Sequence, residues 1–449
     1  MFAAFARRSA DAADSRYHTG ERLLNCYAEP LEGQGPVEVR SVSGLKRFGA
    51  LDAGGEVSAL AEMAGALYAV GGGALWRIDS SGAAANVGPI AEGRARIAVS
   101  GTEVAVVAGG IYHVYDGGTV TTPETGDITL ARDVAFLDGY FIVIGETVGR
   151  RDAYINSGVD DGKTFLGDDL AFARAKPDAL VGIIADHGEV MLMGETSAQL
   201  AYNAGSDTVP IRPNPGAVIE EGCADGRTLA AADNGVFWVG PGGIVRRSDG
   251  ASPRVVSTRQ VEQALQAAPL AGAVVLKDKG HLIYAVMREG LSTWCYDLST
   301  GEWFERATGV SGGEWMGRSA AYAWGAQYVG GRDGRLYVLD RDTFTDGGDV
   351  LLREAVSLPV TQGGRPYTVP RLTLALKTGH SDLGRPAQVM FSTSNDGRRW
   401  SRERTLSLGT IGEYEKSVPV HGLGAFTSGR FRLRMTDPAD LAVSGVNIG

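Results

Sequence analysis

Seven times along the chain, an apolar or aromatic strand ends in Asp or Asn and gives way to a turn of small residues. The copies are Trp76-Arg77-Ile78-Asp79, His113-Val114-Tyr115-Asp116, Ala153-Tyr154-Ile155-Asn156, Leu200-Ala201-Tyr202-Asn203, Arg247-Ser248-Asp249, Trp294-Cys295-Tyr296-Asp297 and Tyr337-Val338-Leu339-Asp340. Successive corner residues lie 37, 40, 47, 46, 48 and 43 positions apart. Aromatic and β-branched residues suit a half-buried pleated surface, and Asp or Asn at a corner accepts hydrogen bonds from backbone N–H groups two residues on. The fullest copy lies in 281–304: one strand, the turn Arg288-Glu289-Gly290, a second strand ending at Asp297, and Trp303-Phe304 opening a third. A period near 40–50 residues with several short strands per unit is that of a β-propeller, one four-stranded blade per repeat. The expected fold class is all-β: a β-propeller of about seven blades, with Arg247-Ser248-Asp249 the weakest copy and six to eight blades in range.

The blade period stops near Asp346. Beyond it, Arg371–Lys377, Pro386–Thr393 and Gly429–Met435 alternate apolar and polar residues, which predicts a small antiparallel β-sandwich-like domain. The expected division is therefore an N-terminal arm over 1–50, a propeller over 51–345 and the small β domain over 346–449. Within the arm, residues 1–16 are expected to form a short helix or an arm that orders on a partner. Val37-Glu38-Val39-Arg40 reads as a short strand, and we expect it to complete the last blade and so join the two ends of the ring. Gln260–Ala268 is the one stretch with helical, amphipathic character. Glycine, at 64 of 449 residues, is about double its usual share. It falls between short apolar runs, so it marks turns and not a low-complexity tract.

From Arg16 onward the chain resembles the packaged-DNA-stabilisation (tail nozzle, or tail hub) proteins of short-tailed bacteriophages. Arg22-Leu23-Leu24-Asn25-Cys26-Tyr27-Ala28-Glu29 matches an opening phrase of that family, and Ser43-Gly44-Leu45 a second, with Ser43 where the family usually carries proline. The central block from Ala153 to Gly205, including Gly158–Phe165, Leu170–Ala173 and Pro177-Asp178, is similar throughout. So are Gly222-Cys223, Phe237–Gly240 and the phrase from Gly250 to Thr258. Near the end, Ser394–Ser401, Leu408–Tyr414 and Met435–Pro438 resemble the termini of such tail proteins. The resemblance runs in order over some 400 residues. It implies a structural virion protein that forms a homohexameric nozzle in the viral tail. A head-to-tail adaptor ring would sit above it, and a tail needle, plug or fibres below. Double-stranded DNA would pass through the lumen without sequence-specific binding, the genome being retained until ejection. Assembly in the host cytoplasm is the matching expectation for localisation.

Reading for chemistry yields no catalytic, cofactor-binding or metal-binding residues, and the expectation is a non-enzyme. Three well-separated cysteines and six histidines form no CxxC, HxxxH or HExxH pattern, which argues against a disulfide scaffold or structural zinc. Gly71-Gly72-Gly73 and Gly242-Gly243 lack the Lys-Ser/Thr of a phosphate loop. Asp346–Asp349 and Asp160-Asp161-Gly162 lack the spaced oxygen ligands that Ca²⁺ takes, so they read as solvated turns. The enzymatic rival is a sialidase-like or carbohydrate-binding propeller. Gly158–Phe165 resembles the Asp-box of that group, with Thr393–Trp400 a looser copy, but the box is a turn remote from that group's active site. Glycoside cleavage also needs a facing carboxyl pair or an activated tyrosine, which nothing here singles out. Trp294, Trp303, Trp315 and Trp324 are expected in the core between blades, not on a sugar platform.

No apolar run approaches the ~18 residues of a membrane span. The net charge of −10 disfavours a surface built to grip phosphate backbone. Six copies would carry six times that charge, −60. An acidic lumen would repel duplex DNA and let it slide.

Overall fold

The computed structural model describes residues 2–3, 11–12, 20–30, 37–173, 176, 178–250 and 252–448. Seven four-stranded antiparallel blades follow one another along the chain, five as separate sheets and two as parts of larger sheets. Six are contiguous in sequence and span 57–89, 96–121, 130–172, 180–219, 230–255 and 270–306; we number them blades one to six. Blade seven takes three strands from 317–340 and its fourth, Gly44–Arg47, from the N-terminal region. First strands of successive blades lie side by side around the ring, including those of blades seven and one. They therefore line the axis, while fourth strands form the rim.

The corner phrase falls at the end of the third strand in every blade. Asp79, Asp116, Asn203, Asp297 and Asp340 each accept the N–H group two residues on at 2.8–3.1 Å, as the turn chemistry requires. Asn156 does not, because its strand continues to Gly158. A second repeated device was not anticipated. Six blades join their first two strands through two residues of positive φ: Ala64-Gly65, Asp138-Gly139, His187-Gly188, Asp233-Asn234, Lys279-Gly280 and Trp324-Gly325. This two-residue turn matches the right-handed twist of the strands it connects.

Ring closure departs from expectation. Val37–Ser41 is a strand, but it pairs with Cys26–Pro30 and Ala442–Ile448 in the sandwich. The strand that completes blade seven is Gly44–Arg47, antiparallel to Leu336–Asp340. Only Val42 and Ser43 separate the two, so the chain leaves one domain and enters the other almost at once. Of the expected N-terminal helix or arm, the described residues are two short strands, Phe2–Ala3 against Val446 and Asn447, and Asp11–Ala12 against Gly20 and Glu21. The remainder of 1–16 lies outside the described residues, as do Arg174, Ala175, Pro177 and Ala251 of the family phrases. The expected helix is present as Arg259–Gln266, N-capped by Thr258 and burying Val261 and Leu265.

The sandwich is not built from the C-terminal residues alone. One of its sheets runs Cys26–Pro30, Val37–Ser41, Ala442–Ile448, Tyr367–Leu376, Val418–Phe426. The other continues blade six outward through Gly20–Leu24, Arg353–Val356, Ser428–Met435, Gln388–Ser394 and Arg404–Ser407. The stretch that carries the fullest sequence repeat thus forms the blade onto which the second domain is grafted. A single hydrophobic core runs from Phe237 and Tyr284 in the propeller through Tyr27 and Leu45 to Phe391, Phe431 and Val443 in the sandwich.

Candidate functional site

The phrase Arg22–Glu29 lies at the junction of the two domains, and its residues explain its composition. Asn25 sits between two strands with φ of 52°, in the left-handed region that Asn tolerates better than most residues. It is fully buried. Its amide Nδ2 donates to the carbonyl of Ala307 at 2.9 Å and that of Leu352 at 2.8 Å, while its Oδ1 accepts from the Ala307 N–H at 3.0 Å. Ala307 follows blade six and Leu352 precedes the sandwich strand Arg353–Val356, so one side chain bridges both. Leu23, Leu24, Cys26 and Tyr27 are buried around it.

Charged groups reinforce the same seam. Arg22 donates to Glu305 of blade six at 2.8 Å and to Glu354 of the sandwich at 3.1 Å. Glu354 also meets Arg434, which meets Glu403. Burial alone would raise the Glu305 pKa, but the hydrogen bonds and charge of Arg22, with the Ser292 hydroxyl, outweigh it and hold the group below its usual range. Arg353 is buried with its guanidinium on the carbonyls of Asp437 and Ala439, and burial pushes its pKa down to about 10. Ser41 donates to Asp440, and Lys279 of blade six donates to the Ser41 carbonyl at 2.8 Å. Ser43, where the family usually has proline, donates both its N–H and its hydroxyl to the buried Asp278 carboxylate. Proline could offer neither donor; here two hydrogen bonds fix the corner.

Alongside, His281 Nδ1 lies 2.7 Å from Asp297 Oδ2, with its ring 4.5 Å from that of Tyr27. The bond to Asp297 raises the His281 pKa above its usual 6.5 against the opposing effect of burial. Asp297 is held low: burial opposes this, but His281, the Ser299 N–H and the Thr300 hydroxyl prevail. The histidine's contribution to stability is complete below pH 6.5 and is lost as pH rises through its folded pKa. That of Asp297 is present above about pH 4 and lost in acid. The melting temperature is expected to decline between pH 6 and 8, and His281→Gln to flatten that decline. An unchanged slope in the variant would contradict the assignment.

Ion pairs close the propeller axis at the end where the first strands begin. Glu56, before blade one, accepts from Arg94 and from Arg318 of blade seven, each at 3.0 Å. Arg94 also meets Glu289 at 2.6 Å and reaches across to the Ala271 carbonyl of blade six at 3.4 Å. Arg96 of blade two pairs with the buried Asp133 of blade three at 2.9 Å, and Asp133 accepts from the Ile183 N–H of blade four. Arg227, before blade five, pairs with Asp225 and donates to the Leu270 carbonyl of blade six. All seven blades are thereby tied together, and Glu56, Arg94, Arg96, Arg227 and Arg318 surround one cavity of about 50 Å³. A duplex cannot pass along this axis.

A family model described as "Bacteriophage P22 Gp10, beta-propeller" matches residues 14–344, and one described as "Bacteriophage P22 Gp10, beta-sandwich" matches residues 356–449. The chain belongs to the bacteriophage P22 Gp10 family. It is accordingly a phage structural protein of the DNA-stabilisation class, with the virion as its setting. No curated protein matches the chain. Solved structures of similar shape are distant. U3-55K is 10% identical with a TM-score of 0.46, over 66% of this chain and 98% of that one. The WD40 β-propeller domain of Doa1 is 11% identical with a TM-score of 0.43, over 67% and 96%. PorZ of Porphyromonas gingivalis is 12% identical with a TM-score of 0.40, over 81% of this chain but 46% of its own length.

In this Gp10-family chain the remaining candidate motifs have structural partners. The Asp-box-like turn is an inter-blade clasp: Gly162 N–H donates to Glu103 at 2.8 Å, Tyr112 donates to the Gly162 carbonyl at 3.0 Å, and Phe165 meets Tyr112 edge-on. In the looser copy, Asp396 accepts from the N–H groups of Arg399 and Arg398, which lowers its pKa to about 2. Asp346 of the Asp346–Asp349 turn is buried and accepts from Thr308. Trp294, Trp303 and Trp315 are buried, and Trp303 Nε1 donates to the Val256 carbonyl of the neighbouring blade. Trp324 is half-buried against Phe48 and Tyr328. The three cysteines are buried thiols with pKa values pushed up by burial. Among the described residues no group of three or more His, Cys, Asp or Glu could hold a metal, and no helix is long and apolar enough to cross a membrane.

Proposed function

We propose that the protein is the tail nozzle of a short-tailed phage. Six copies form a ring beneath the head-to-tail adaptor, extend the DNA channel, and help hold the packaged genome until ejection. The observation that carries this reading is the match of both domains, in order, to the P22 Gp10 family. The physical properties suit it. A closed propeller has no free sheet edge along its ring and resists shear. The welded sandwich makes each subunit one stiff wedge, and identical wedges can close into a tube wall. With each propeller's own axis blocked by ion pairs, the channel would lie between subunits. A tail needle, plug or fibres would engage the free end, and the protein would act without catalysis. The test is assembly: sedimentation of the purified chain with and without its adaptor ring, and DNA content of particles made without this protein. Template-dependent formation of a hexameric ring and loss of DNA from deficient particles are expected. Particles that lack the protein yet retain their genome and infect normally would overturn the reading.

A further inference from the structure

On the face of the propeller opposite the axial ion pairs, blades six and seven flank an open trough of about 720 Å³. Its walls come from the closing strand Gly44–Arg47, the turn after Leu270–Asp278 and the corner at Asp340. Five cations line it: Lys46, Arg47, Lys277, Lys279 and Arg341. Two carboxylates do so as well. Asp278 is buried and already accepts both donors of Ser43, and Asp340 lies 3.9 Å from Lys46 while accepting from its own turn. The trough therefore carries a formal +3, on a chain whose total is −10, which leaves −13 for everything else. Lys279 is committed to the Ser41 carbonyl, and Lys277 Nζ rests 4.5 Å from the centre of the exposed Tyr322 ring. Lys46, Arg47, Lys277 and Arg341 are exposed. Among the described residues neither Arg47 nor Arg341 has an ion-pair partner.

The geometry points to this trough as a binding site for the phosphodiester backbone of duplex DNA. Four solvent-facing cations held on strand ends and turns, in a wide open groove, suit a row of phosphates contacted without base reading. An acidic helix from a protein partner would also want an apolar stripe to lie on. The aromatic groups here are already engaged: Tyr322 with Lys277, and Phe48 with Trp324 and Tyr328. On an otherwise acidic body, such a strip would act as a local brake on a duplex that the rest of the surface repels. This inference rests on the conduit reading for the presence of DNA, but it can fail alone.

The test is fluorescence anisotropy of a labelled 20-base-pair duplex of arbitrary sequence with the full-length protein. With four phosphate contacts, log affinity should fall with log salt at a slope of about −3.6, so affinity drops ~150-fold between 50 and 200 mM salt. Lys46→Gln/Lys277→Gln/Arg341→Gln should flatten that slope by about 3. Arg371→Gln/Arg399→Gln/Arg402→Gln, equal in charge change but placed in the sandwich, should leave it intact. Equal weakening by both triple variants, no duplex binding at 50 mM salt, or tighter binding of a polyglutamate peptide than of duplex would each overturn the site. None of these outcomes touches the retention of DNA by complete particles, so the two readings fall separately.

Discussion

Deleting residues 1–47 is expected to abolish soluble, monodisperse protein, whereas deleting 1–19 leaves a folded chain of slightly lower stability. The longer deletion removes Gly44–Arg47 and exposes Leu336–Asp340 as an unpaired edge in blade seven. It also removes Gly20–Leu24, the strand through which blade six continues into the sandwich, and two strands of the opposite sandwich sheet. Leu23, Leu24, Tyr27, Val39, Val42 and Leu45, all buried, go with them. At ~1.5–3 kcal/mol for each large apolar side chain, that loss is on the order of 10 kcal/mol, comparable with the whole stability of an ordinary domain. Size-exclusion chromatography and thermal melts of the two truncations decide the matter. A soluble 48–449 fragment that melts near the full-length temperature would show that the ring closes without its rim strand.

The second large effect is expected at Asn25. Asn25→Ala leaves the Ala307 N–H and the Leu352 and Ala307 carbonyls without their side-chain partner and places a Cβ-bearing residue with no local hydrogen bond at φ of 52°. Each buried orphan costs ~1–3 kcal/mol, so a total loss of about 3–5 kcal/mol is expected. Asn25→Gly removes the same bonds but accepts positive φ, and should recover about 1 kcal/mol of it. Urea unfolding followed by tryptophan fluorescence reads both quantities. Far-UV circular dichroism, which reports on the strands of both domains, reads cooperativity, because the buried tryptophans lie in the propeller and report on that domain alone. The wild type should unfold in one transition, and Asn25→Ala should separate sandwich from propeller into two. A variant with the wild-type midpoint would mean that the seam is held by its apolar contacts alone.

The parts of this fold legible in the sequence were those that depend on local chemistry. A corner that needs an acceptor selects Asp or Asn wherever it recurs, so the blade repeat is visible from Asp79 to Asp340 without knowing what any strand touches. The hairpin pairs such as Lys279-Gly280 and Asp138-Gly139 carried a second local signal of the same kind, since five of the six are residue–Gly steps 15 to 18 positions before the corner. What could not be read was destination. Val37–Ser41, with two valines in alternation, looks more like a strand than Gly44–Arg47, which has no β-branched residue. Propensity says which segment extends, but not which edge, some 290 residues away, it will meet. The axial arginines were hidden for a related reason. Arg94, Arg96 and Arg318 look like surface charges until the ring brings Glu56, Asp133 and Glu289 to them. At the domain seam the family phrase marked the right residues. Why Asn25 must be asparagine became clear only once Ala307 and Leu352 were seen on either side of it.

The origin of blade seven in both ends of the chain also bears on how the protein is made. Residues 44–47 leave the ribosome before any blade exists, and their partner at 336–340 follows some 290 residues later, ~15–60 s at ordinary rates of bacterial synthesis. Throughout that interval the growing wheel is an open arc with a hungry edge at either end, while the segment destined to seal it hangs free. The hazard for such a chain is a neighbour's strand arriving first on a crowded polysome. Slowing elongation within blades five to seven should increase the fraction that aggregates.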